Sequence, residues 1–257
     1  MMSASLILLF SYTSTLLHFF MIHILLFAFI GLLLGSIGSV LVSRLPMGEA
    51  VLGHPRCPHC GVVLRTLQLI PLVSFIALGG RCSKCEAEIS WMYPALEAGS
   101  ALLFVLALWP ASSVLGAFIL GCGLWALLLI AMVDLRTQTI PDPLNLLLCA
   151  IGVAAVFTRG SIDLLSLLLG AGFLGLQWKL SNGRWVGSGD VFLMVGLALV
   201  LPSVVAMAFT LLFAYAFGAA AALTLLAAKR TTLESHIPFA PFLALAAAVV
   251  LLLGLGV

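Results

Sequence analysis

Apolar runs bounded by charge, proline or glycine recur along the chain near residues 14–43, 92–109, 113–134, 142–158, 162–179, 189–201, 203–228 and 237–256. One helical crossing of a bilayer takes about 20 apolar residues. The runs therefore predict an all-α polytopic membrane protein of about eight transmembrane helices, the sixth being short. Composition agrees, with 63% hydrophobic residues and only 8% charged. The lipid bilayer is the first partner implied, and a net charge of +2 gives no reason to expect a nucleic-acid partner.

Connecting the runs in order puts Arg44, Arg56, Arg65, Arg81, Lys84, Arg136, Lys179, Arg184, Lys229 and Arg230 on one side and leaves Arg159 opposite. This asymmetry makes the first side cytoplasmic. The N-terminus then faces outward, and the polar segment after Arg44 lies inside. Residues 1–20 contain no Lys or Arg, so they lack the basic start of a cleaved leader. Their role is open, as is a true start at Met21. Three parts are expected: 1–43, an N-terminal extension with the first transmembrane helix; 44–91, a cytoplasmic cysteine loop; and 92–257, a seven-helix membrane domain.

The loop carries Cys57-Pro-His-Cys60 and Cys82-Ser-Lys-Cys85. Two such CxxC turns can place four thiolates around one tetrahedral Zn²⁺ at about 2.3 Å. A segment this small has too little core to hold itself without a staple, so a structural zinc is expected. Two disulfides are the alternative, disfavoured in a reducing compartment. His59 is read as a bystander, and Cys122 and Cys149 as small buried hydrophobes.

Acids within or beside membrane spans are costly enough to suggest function. Glu97, Asp134, Asp142 and Asp190 qualify. Asp134 ends the apolar run LWALLLIAMVD, and Asp190 follows Gly187-Ser-Gly189 at the start of the sixth run, so both should lie near the cytoplasmic face. Two carboxylates across a water can divide the work of acid and base. Gly187 and Gly189 would allow a sharp turn and close approach of a substrate. Asp190 reads equally well as a helix cap. Asp142, ahead of Pro143, is favoured as an N-cap, Asp163 reads as a solvated helix start, and Glu97 pairs with an Arg or contacts substrate.

Taken together, GLLLGSIGSVLVSRLP (31–46), the paired knuckles, ISWMYPALE (89–97), DLRTQTIPD (134–142) and GSGD (187–190) resemble the type IV prepilin leader peptidases, which are membrane aspartic proteases and N-methyltransferases. The match covers most of the first 195 residues, and the last third agrees mainly in hydropathy. The resemblance implies Asp134 and Asp190 as the catalytic pair. The reaction it implies is cleavage of prepilin or type II secretion pseudopilin leaders at the cytoplasmic edge of the bacterial inner membrane. Methylation of the new N-terminus by S-adenosylmethionine would follow, supported by the first loop and its flanks, including Arg44 and Glu97. Phe192 stands where the family commonly has Lys. A transporter using intramembrane Asp residues, and a zinc-knuckle scaffold without chemistry, are the competing classes.

Overall fold

The computed structural model describes residues 2–51, 53–229 and 236–256. Helix α1 spans Met2–Arg44. After it come a 3₁₀ turn at Leu45–Met47, another at Thr66–Leu69, the short α2 (Val73–Ala77) and α3 (Met92–Leu106). Next are α4 (Val114–Thr137), α5 (Asp142–Arg159) and α6 (Leu164–Leu167), which passes through a π turn at Leu168–Gly172 into α7 (Phe173–Ser181). Helices α8 (Ser188–Val200), α9 (Val204–Ala227) and α10 (Ala240–Leu253) complete the bundle. No strand occurs among the described residues; the cysteine loop holds two isolated bridges, Arg56 with Val63 and Arg81 with Glu88.

Among the described residues, five stretches are long and apolar enough to cross a membrane: Phe20–Met47, Val114–Thr137, Asp142–Arg159, Leu164–Ser181 and Val204–Ala227. This is the architecture of a multi-pass membrane protein. The expected count of about eight is not reached by length. Helices α3, α8 and α10 have 15, 13 and 14 residues, rising about 20 Å against a hydrocarbon core of about 30 Å. Hydropathy had located all eight runs, but helix ends are set by capping and packing.

Half of the α4 span is buried, against 22–28% in the other four, so α4 is the central helix. Its partners include α1, α3, α5 and α10. Helices α1 and α3 pack extensively because glycine lets their backbones meet. A Cβ at Gly31 would lie 2.6 Å from Ala101 Cα, and one at Gly35 2.6 Å from Glu97 Cα. This is the small-residue seam expected of helices that associate in lipid without a hydrophobic driving force. Helices α5 and α8 meet similarly, since a Cβ at Gly152 would lie 2.5 Å from Leu199 Cβ.

Two charged residues tie helices together, and one of them differs from its sequence reading. Asp163 is half-buried rather than solvated. One oxygen caps α6 through the N–H groups of Leu165 and Ser166, and the other accepts the Val204 N–H of α9 at 2.6 Å. Arg159 donates to the carbonyls of Val200 and Leu199 at the C-terminal end of α8, satisfying groups the helix leaves unpaired. Arg230 lies outside the described residues.

Candidate active site

The ends of α4, α5, α8 and α10 converge at one end of the bundle. Asp134, in the last turn of α4, is 5% exposed, and its Oδ2 accepts the Ala240 N–H at 3.1 Å. Ala240 is the first residue of α10 and Pro241 follows it, so the α10 N-terminus turns a free donor toward the Asp134 carboxylate. Asp190, in the first turn of α8 and half-buried, accepts the Gly187 N–H through Oδ2 at 3.2 Å. Its capping contact is therefore real. It does not exclude the pairing with Asp134: the two carboxylates lie close enough to interact electrostatically, and Asp190 also lies within electrostatic reach of Tyr215.

Only Gly189 is closely approached; a Cβ on Gly187 would meet nothing nearer than Asp190 Oδ2 at 3.4 Å. Gly187 has an ordinary extended backbone, φ −74° and ψ 153°, which corrects the sharp-turn expectation for it. A Cβ on Gly189 would lie 3.2 Å from Ile140 Cβ, so the loop after α4 presses directly on GSGD. From α5, Asn145 donates its Nδ2 to the Gly189 carbonyl at 3.3 Å and is 3% exposed. Asn145, Ala240 and Gln138, whose Nε2 donates to the His236 carbonyl at 3.1 Å, were missed in the sequence; the polar Asn at the buried start of α5 was the available signal. Asp142 is the first residue of α5 and exposed, while Pro141 occupies the cap position. The helix thus begins one residue earlier than the N-cap reading placed it, and Asp142 sits where a negative charge favours the helix dipole. Phe192 is 61% exposed.

The four loop cysteines form a second centre. The Sγ atoms of Cys57, Cys60, Cys82 and Cys85 lie within 4.8 Å of one another, and those of Cys57 and Cys85 are 3.8 Å apart. A tetrahedral ion with bonds of about 2.3 Å puts its sulfurs about 3.8 Å apart. The two knuckles repeat one backbone pattern. Cys57 N–H donates to Val62 and Gly61 N–H to Cys57; Cys82 N–H donates to Ala87 and Glu86 N–H to Cys82. The residue after each second cysteine is left-handed, Gly61 at φ 68° and Glu86 at φ 58°. Backbone N–H groups of Cys85 and Lys84, together with the neighbouring thiols, pull the Cys82 thiol down to about 6. Cys85 receives the Ala87 N–H, which lowers it, yet desolvation and the Cys60, Cys82 and Cys57 thiols push it up to about 12. Four thiols this close cannot all ionise together unless a cation sits among them. His59 is exposed and outside the cluster.

Between this loop, α1 and α3 lies a cavity of about 450 Å³ whose lining includes Ser36, Ser39, Ser43, Arg44, Tyr93 and Glu97. Glu97 is 9% exposed, and its Oε2 accepts the Leu72 N–H at 2.8 Å. Leu72 holds φ 59° and ψ −45°, a conformation that costs free energy outside glycine and needs such an anchor. No cation pairs with Glu97 among the described residues. The Arg44 guanidinium donates to the carbonyls of Ala50 and Val51 and lines the same cavity.

Comparison with known proteins bears on both centres. Residues 29–111 match the bacterial peptidase A24 N-terminal domain, and residues 121–225 match the type IV leader peptidase family. The chain is 31% identical over 261 residues to the prepilin leader peptidase/N-methyltransferase of Pseudomonas putida, covering 88% of each chain. It is 32% identical over 262 residues to the protein so named in Pseudomonas aeruginosa, again covering 88% of each. With that of Dickeya chrysanthemi it shares 32% over 264 residues, 87% of this chain and 90% of the relative. No solved structure matches.

Proposed function

This chain belongs to the type IV leader peptidase family, and from that premise we propose that it is an aspartic endopeptidase of the bacterial inner membrane that cleaves prepilin or pseudopilin leaders. The observation that carries the reading is the placement of Asp134 and Asp190 within interaction distance at one end of the bundle. Each holds one backbone N–H on its Oδ2. The other oxygen of each is left for a water between them. One ionised carboxylate takes a proton from that water while the protonated partner polarises the scissile carbonyl, and no covalent intermediate forms. Arg44, Arg136 and Lys179 lie at the ends of α1, α4 and α7. They support a cytoplasmic placement of this end, with the cysteine loop inside and the N-terminus outward.

Methylation of the new N-terminus is the second half of the proposal, with a structural Zn²⁺ on Cys57, Cys60, Cys82 and Cys85 holding the loop against α1 and α3. The cavity suits a zwitterionic methyl donor. Its volume falls within the range of small-ligand sites, about 300–1,000 Å³, and it offers a buried carboxylate lacking a cation and a guanidinium on the same wall. Glu97 would hold the cationic groups of S-adenosylmethionine, Arg44 its carboxylate, and Tyr93 an aromatic face. When bound, that donor supplies an electrophilic methyl group. Glu97 and the Ser36, Ser39 and Ser43 hydroxyls would orient the incoming amine.

Incubation of the purified enzyme with a prepilin and labelled S-adenosylmethionine, followed by mass measurement of the product's N-terminus, tests both halves. A cut and methylated product is expected. An uncut substrate refutes the peptidase reading, and a cut but unmethylated one refutes the second half.

A further inference from the structure

We propose that Gln138 is a positioning residue for the aspartate dyad, acting through α10; the inference rests on the dyad reading above. Two contacts join the end of α4 to the approach and first turn of α10: Asp134 Oδ2 with Ala240 N–H, and Gln138 Nε2 with the His236 carbonyl, each at 3.1 Å. Asp134 and Gln138 are four residues apart, and so are His236 and Ala240. The contacts are therefore two antiparallel rungs that fix the register of α10 against α4.

The geometry of Gln138 is built for this. It sits one residue beyond α4 with φ 53° and ψ 33°, and its own N–H donates to the Asp134 carbonyl at 2.8 Å. That left-handed step turns the side chain out of the helix and toward His236. On the other side, Pro241 has no N–H, and Phe242 and Leu243 donate to Phe239. Ala240, fully buried, presents its N–H to Asp134. Sliding α10 by one residue would bring Pro241 opposite the carboxylate and leave Asp134 without a donor. Gln138 holds the carbonyl end of that stretch, and so keeps the Ala240 N–H in register with Asp134 Oδ2.

The test compares Gln138→Gly, Gln138→Asn and Asp134→Asn, each in the full-length protein in membranes with a prepilin substrate. Gln138→Gly relieves the left-handed backbone while deleting the rung, so the protein should accumulate and melt like wild type. Its kcat should nevertheless fall about tenfold with KM unchanged, because substrate contacts are untouched and only Asp134 is misplaced. Gln138→Asn tolerates the same backbone and keeps the amide, one methylene short, and should retain an intermediate kcat. Wild-type kcat in Gln138→Gly, with Asp134→Asn inactive, overturns the inference and leaves the dyad standing. Full cleavage by Asp134→Asn removes the dyad reading itself. Should Gln138→Gly fail to accumulate, Gln138→Asn decides: a lowered kcat at unchanged KM supports the positioning role, and wild-type kcat refutes it.

Discussion

Gly35→Ala should separate methylation from cleavage. The added Cβ would lie 2.6 Å from Glu97 Cα, 2.9 Å from the Leu96 carbonyl oxygen and 3.1 Å from Ser100 Cβ. The two nearest atoms are backbone, so no rotamer change relieves them, and α1 must move away from α3 by roughly 1 Å to restore van der Waals contact at about 3.5–4.0 Å. Overpacking of this kind costs about 1–3 kcal/mol. The displaced wall carries Glu97 and the serine face of the cavity, whereas Asp134 and Asp190 sit on α4 and α8. Purified Gly35→Ala should melt several degrees lower, and its product's N-terminal mass should show cleavage within twofold of wild type but methylation reduced about tenfold. Gly99→Ala on α3 is the control, since its Cβ would meet only Leu128 Cδ2 at 3.5 Å, and it should leave both activities unchanged. Equal loss of both activities in Gly35→Ala, or methylation unaffected despite the lowered melting, would refute the reasoning.

Asp134→Asn and Asp190→Asn should each abolish cleavage while the protein accumulates; full cleavage by either would remove the dyad. Metal analysis should find one Zn²⁺ per chain, lost in Cys57→Ser together with the fold of the loop, because much of a structural zinc site's binding energy is folding energy; full metal content in that variant would refute the four-thiolate site. Asp163→Ala removes the cap of α6 and the acceptor of the Val204 N–H at the start of α9, whose own cap Ser203 remains, and should destabilise by about 1–2 kcal/mol, read as a lowered melting temperature. An unchanged melt would show that the Val204 and Leu165 contacts contribute nothing.

Much was legible without coordinates, for a local reason. Apolar length is a property of consecutive residues, so hydropathy located the helices of the membrane bundle, though not the short α2 (Val73–Ala77) inside the cysteine loop, and CxxC spacing brought two thiols of each knuckle together within one turn. The acids likewise stood out because charge is scarce here. What tertiary packing decided was everything that joins residues far apart in the chain: Asp134 with Ala240 across 106 residues, Gln138 with His236 across 98, and Asn145 with Gly189 across 44. Neither the half-buried state of Asp163 nor the exposed face of Phe192 could be read from neighbours alone. Hydropathy registers the mean environment of a segment. Which oxygen of a carboxylate meets which N–H depends on helix register, and close backbone contacts at Gly31, Gly35 and Gly152 set that register once the helices have packed.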